Sequence, residues 1–123
     1  PAIDNFIAGI HVLENKWRKY MTGISSVEVK RKHDAGEDFF LLDVRGPDEY
    51  DAMRLGIGET LIPLGKLRTS MDQLPKDKNT EIITYCKISL RGYEAACYLK
   101  GQGYKDVKVM EGGVIAWPFE REK

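Results

Sequence analysis

The chain has 123 residues, 42% of them apolar and 31% charged, a size that fits one compact domain. Nineteen basic residues balance nineteen acidic ones, which lacks the basic excess of nucleic-acid-binding proteins and argues against such partners. The longest apolar runs fall far short of the roughly 20 residues a membrane-spanning helix needs, and the N-terminus lacks the features of a signal peptide, so a cytoplasmic location is expected.

Residues 1–22 carry Ile3, Phe6, Ile7, Ile10, Leu13, Trp17 and Met21 at steps of three and four. That spacing predicts an amphipathic helix ended by Gly23. Ser25-Ser26-Val27-Glu28 has the spacing of a capping box and opens a short helix running to about Ala35, stopped by Gly36. Phe39 to Val44 is apolar without alternation up to Asp43, as suits a parallel strand covered on both faces. Pro47-Asp48-Glu49-Tyr50 starts the next helix, with proline in the first turn and acids at its positive end.

A glycine-jointed loop from Leu55 leads into a short edge strand at Leu61-Ile62, and residues 64–73 read as another short helix. Glu81 to Tyr85 is the second clear strand, with Cys86 at its carboxyl end. A helix follows from about Arg91 to Lys100, then a strand at Val107 to Met110, then Gly112-Gly113 before a last helix with Trp117 and Pro118. Strands alternate with helices. The fold class is therefore α/β with a mostly parallel sheet, a domain over 23–123 preceded by the 1–22 helix or linker.

Nothing about the two cysteines, Cys86 and Cys97, suggests a disulfide framework, and no Cys/His spacing resembles a metal site; neither metal nor cofactor is expected. Cys86 occupies the place beyond a strand's carboxyl end where α/β sheets settle ligands. The segment Lys87, Ile88, Ser89, Leu90, Arg91 must turn the chain from strand to helix. Such a turn aims backbone N–H groups inward as an anion nest. A thiolate is an anion, and the helix end together with Lys87 and Arg91 would favour it over the thiol. The alternative is a buried, inert thiol closing the strand. Cys97, mid-helix among apolar neighbours, reads as packing.

Leu42-Asp43-Val44-Arg45, Pro47-Asp48-Glu49-Tyr50, Leu61-Ile62-Pro63-Leu64, Tyr85-Cys86 with Arg91, and Glu111-Gly112-Gly113 before Ala116-Trp117 together resemble the rhodanese domain over about residues 24–118. The resemblance implies a five-stranded parallel sheet flanked by helices. It also implies sulfur transfer through a persulfide on Cys86, from a small-molecule donor such as thiosulfate to a thiol or cyanide acceptor. On that basis the backbone of Lys87 to Arg91 cradles the persulfide, and Arg91 binds the donor anion or braces the loop. Asp43 and Arg45 pin neighbouring loops.

Two departures from the family pattern stand out. Ser89 replaces a usual glycine and Gly92 a usual serine in the loop, and Met53 to Gly58 replaces a Gly-His-Ile-Pro-Gly stretch, with Arg54 in a position to face the site. The loop is Cys-x4-Arg, one residue shorter than in related phosphatases, which argues against phosphate ester hydrolysis. The chain also looks like rhodanese domains fused behind flavin-dependent coenzyme A disulfide reductases. With Pro1 in place of Met, this implies a C-terminal piece of a larger protein, whose flavin domain is a linked or docked partner. The 1–22 stripe would then dock there, or cover its own domain. A non-catalytic binding or regulatory module is the alternative function.

Overall fold

The computed structural model describes residues 21–121, so the helix expected over 1–22 lies outside the described residues except for its last two. Those two depart from the expectation. Met21 is a buried bend and Thr22–Ile24 form strand β1, which pairs in parallel with the strand at Val107–Met110. An open strand edge offers hydrogen bonds that a helical pattern of side chains cannot match at this point; Glu111 N–H donates to the Ile24 carbonyl at 2.9 Å. Gly23 lies against the Glu111 side chain, whose carboxylate would have to swing aside for a Cβ there.

Helix α1 (Ser26–Asp34) follows, its first turn capped by the Ser25 hydroxyl, which accepts from Glu28 N–H at 3.1 Å. The Glu28 carboxylate is taken by Arg31 at 2.6 Å. Gly36 then turns the chain at φ +71°. Next come β2 (Phe40–Asp43), α2 (Pro47–Ala52), β3 (Thr60–Leu61), β4 (Ile82–Tyr85), α3 (Leu90–Gly101) and β5 (Val107–Met110). The sheet order is β1-β5-β4-β2-β3, with every neighbouring pair parallel.

Two expected helices shrink to 3-10 turns. Residues 64–73 form Leu64–Thr69 and Met71–Gln73, separated by Ser70 at φ −122°, and are closed by three-residue bonds such as Ser70 N–H to Leu67 O. The last helix is only Gly113–Ala116. Pro118 disfavours helical backbone at the residue before it, and Trp117 is accordingly extended at ψ 111°.

Both faces of the sheet are covered, which is why its strands do not alternate. Leu42, Ile82, Val107 and Val109 pack with Tyr93, Ala96 and Leu99 of α3 and with Leu67 and Leu74. On the other face Leu41, Ile83, Tyr85 and Met110 meet Val29, Val114 and Trp117. Each such side chain withdrawn from water is worth about 1.5–3 kcal/mol, set against the entropy of ordering it. No helix among the described residues is long and apolar enough to cross a membrane.

Candidate active site

Cys86 directly follows β4, the strand flanked by β2 and β5, and is 2% exposed. The turn into α3 is short because the helix can sit directly on the strand. Gly92 makes this possible: a Cβ there would lie 3.2 Å from Val109 Cγ1 and 3.4 Å from Tyr85 Cα. The Thr84 hydroxyl fastens the junction by donating to the Gly92 carbonyl at 2.8 Å. Ser89 is the buried N-cap residue, and its carbonyl accepts from Tyr93 N–H at 3.0 Å. Lys87 and Ile88 are exposed, while Leu90 and Arg91 are half-buried.

The Gly112–Gly113 turn fixes the outer side of this loop. Gly112 and Gly113 adopt φ +78° and +58°, and a Cβ on Gly113 would fall 2.3 Å from the Cys86 carbonyl oxygen. Val114 N–H donates to Cys86 O at 2.9 Å, and Ile115 N–H to Lys87 O at 3.1 Å. In a trans peptide the N–H points opposite to the C=O. The amides of Lys87 and Ile88 therefore point away from the Gly113–Ala116 turn.

Arg91 is braced by Glu49 of α2. Its Nη1 and Nη2 donate to Glu49 Oε1 and Oε2 at 2.7 and 2.9 Å. These bonds bring the Glu49 carboxyl down to about 2, and Gly46 N–H adds to the effect. Glu49 in turn raises the Arg91 pKa, with the neighbouring Cys86 sulfur acting in the same direction against burial. Helix α2 is itself held from behind. Asp43, fully buried, accepts from Arg45 N–H, Nε and Nη2 at 2.8–3.1 Å, and Arg45 donates onward to the carbonyls of Glu49 and Met53.

A pocket of about 190 Å³ opens beside the loop, lined by Arg45, Glu49, Ala52, Met53, Lys87, Val114 and Ile115. Arg54 is not among these; its guanidinium lies over the Tyr50 ring, 4.9 Å from the centroid. Lys87 and Arg45 thus share the pocket, with Arg91 held at its Glu49 wall. Asp43 stands behind Arg45. Glu49 stands in the sequence as an acid in a helix's first turn, within Pro47-Asp48-Glu49-Tyr50, and no local signal marks its bond to Arg91. Among the described residues no three His, Cys, Asp or Glu side chains gather as metal ligands would.

The family model of the rhodanese-like domain matches residues 25–119. The chain belongs to the rhodanese-like domain family. A sulfurtransferase of Allochromatium vinosum is 36% identical over 87 residues, which are 66% of this chain and 73% of that protein. The putative sulfurtransferase YtwF of Bacillus subtilis is 35% identical over 103 residues, 79% of this chain and 90% of that one. The crystal structure of reduced Bacillus anthracis CoADR-RHD matches with a TM-score of 0.71 and 31% identity, over 81% of this chain but 17% of that one. These relatives support sulfur transfer as the general chemistry of this rhodanese-like domain.

The two departures from the usual rhodanese loop have local reasons. Ser89 sits at φ −165°, extended backbone that requires no glycine. Gly92 carries the close helix–strand contact described above. In the Met53 to Gly58 segment, Gly56 and Gly58 take positive φ, and the Glu59 carboxylate accepts from Gly56 and Ile57 N–H at 2.9 Å each. The stretch is a turn closed on its own carboxylate, with Leu55 in the core.

Proposed function

We propose that this rhodanese-like domain carries sulfane sulfur as a persulfide on Cys86, taken from a donor such as thiosulfate and passed to a thiol or cyanide. The Cys86 thiolate attacks the outer sulfur of thiosulfate, the S–S bond breaks with its electron pair, and sulfite leaves. Attack by the acceptor on the terminal persulfide sulfur then returns the Cys86 thiolate; with cyanide the product is thiocyanate. Lys87 to Arg91 cradle the sulfur through their backbone, and Arg91, occupied by Glu49, braces the loop.

The observation that carries this reading is the loop itself. The carbonyls of Cys86 and Lys87 are tied back to Val114 and Ile115 N–H, so the following amides face away from that turn, an orientation that supports their use as donors to an anion. The half-buried Cys97 has a thiol pushed up by burial and serves as the internal control.

Incubation with thiosulfate should add about 32 Da, one sulfur atom, to the intact mass. Cys86→Ser should abolish the adduct and Cys97→Ser should keep it. Absence of any adduct across several donors would instead favour a binding module, a reading for which the 2% exposure of Cys86 speaks. A fused or docked flavin reductase partner is part of the same proposal. It is supported by the likeness to CoADR-RHD, of which this chain matches a small share.

A further inference from the structure

The turn that holds the Cys86 loop is itself held from its far side. Trp117 is buried, and the chain beyond Pro118 folds back over it. The Phe119 ring meets the indole edge-on with centroids 5.1 Å apart, and Trp117 Nε1–H donates to the Glu120 carbonyl at 3.2 Å. This fold-back returns Arg121 to the Gly113–Ala116 turn. Its Nη2 donates to the Trp117 carbonyl at 2.6 Å and the Val114 carbonyl at 3.2 Å, with Ile115 O at 3.4 Å. A guanidinium at the carboxyl end of a helical turn satisfies carbonyls that the turn leaves over. Arg121 lies beyond the span 25–119 that the family model matches.

The Val114–Ile115 peptide is gripped at both ends. Its carbonyl takes Arg121, and its N–H, pointing the opposite way, donates to the Lys87 carbonyl at 3.1 Å. The Lys87 carbonyl shares its own peptide with the Ile88 N–H. The guanidinium and these two peptides therefore form one line of hydrogen bonds leading into the loop after Cys86. A charged donor at the head of such a line polarises the bonds that follow and strengthens them.

Resting on the sulfur-transfer reading above, we infer that Arg121 is a positioning residue for persulfide formation. It holds and polarises the Val114–Ile115 peptide, and through the Lys87 carbonyl it fixes the Ile88 amide as a donor to the sulfur anion. It acts through the backbone and not on the sulfur donor. Its side chain is exposed, so replacing it opens no cavity in the core.

The test compares Arg121→Gln, Arg121→Lys and Glu120→Gln with the parent chain. It follows thiosulfate loading of Cys86 by intact mass, the urea midpoint, and the Ile115 amide proton resonance. Arg121→Gln should slow loading by about fivefold, the scale of one hydrogen bond. It should also move the Ile115 amide proton upfield as the bond to Lys87 weakens, with the urea midpoint nearly unchanged. Arg121→Lys keeps a charged donor and should recover part of both the rate and the shift. Glu120→Gln removes a charge from the same tail but not from the line, and should load like the parent. Unchanged loading in Arg121→Gln, equal slowing in all three variants, or a loss that only tracks a falling urea midpoint overturns the inference while sulfur transfer stands. No loading of the parent chain by any of several donors overturns the sulfur-transfer reading and this inference with it.

Discussion

Glu49 and Arg91 stand 42 residues apart in the chain and meet in a two-pronged ion pair at 2.7 and 2.9 Å. The contact joins α2 to the first turn of α3, and so couples the segment after β2 to the segment after β4. It has a pH signature. The Glu49 carboxyl is held at about 2 in the folded chain, against an ordinary 4.5. A depressed pKa contributes stability that is complete above the unfolded value and is lost as pH falls toward the folded one. Urea midpoints measured across the acid range should therefore fall as pH drops from about 4.5 toward 2. Glu49→Gln should show a shallower fall in that window. The pair is about a third exposed, so its effect at neutral pH is modest and weakens with salt. Identical acid limbs in the two proteins would show that the pair contributes nothing to folding.

Gly113→Ala tests the outer wall of the loop. The new methyl would meet the carbonyl oxygens of Cys86 and Ile88 at 2.3 and 2.4 Å, both backbone atoms that cannot swing aside. Left-handed φ of +58° adds its own cost for a residue with a Cβ. Together these should exceed about 2 kcal/mol in equilibrium unfolding. The variant should also lose persulfide loading, because Cys86 and Lys87 carbonyls could no longer be held by Val114 and Ile115. Gly103→Ala is the comparison: its φ is +100° but no atom lies within 4 Å of its added Cβ. It should be strained yet leave loading intact.

Much of this arrangement is legible in the sequence because it is local. Phe40 to Leu42 and Ile82 to Tyr85 declare themselves by mostly apolar residues without alternation, and Ser25 and Gly36 bracket α1 as caps should. Cys86 follows from its position after such a strand. The parts that escaped depend on the tertiary partner. Thr22–Ile24 looks like the tail of a helix until β5 supplies an edge to pair with. Residues 64–73 have helical spacing, yet the chain breaks at Ser70 into two 3-10 turns. Arg54 carries a charge suited to the site but lies on Tyr50, since its own turn closes through Glu59. Glu49 sits in a helix start that sequence explains fully by dipole and capping, so nothing local marks its bond to Arg91.

Asp43 and Arg45 form the support on which the Glu49 brace rests, and the two residues should not tolerate separation. Both are essentially withdrawn from solvent, at 0% and 2% exposure. Burial works to lower the Arg45 pKa, and the bonds and charge of Asp43 outweigh it. Asp43→Asn would leave a buried guanidinium without its countercharge, at a cost of about 3–5 kcal/mol. Replacing both, as Asp43→Leu with Arg45→Met, removes the desolvated charges together and should recover a large part of that loss. Recovery of stability should not restore the site. Arg45 also donates to the carbonyls of Glu49 and Met53, so the double variant releases the end of α2 and with it the Glu49 grip on Arg91. Urea unfolding should rank the double variant above Asp43→Asn, whereas persulfide loading should stay impaired in both. Full loading in a stable double variant would show that α2 is positioned without the buried pair.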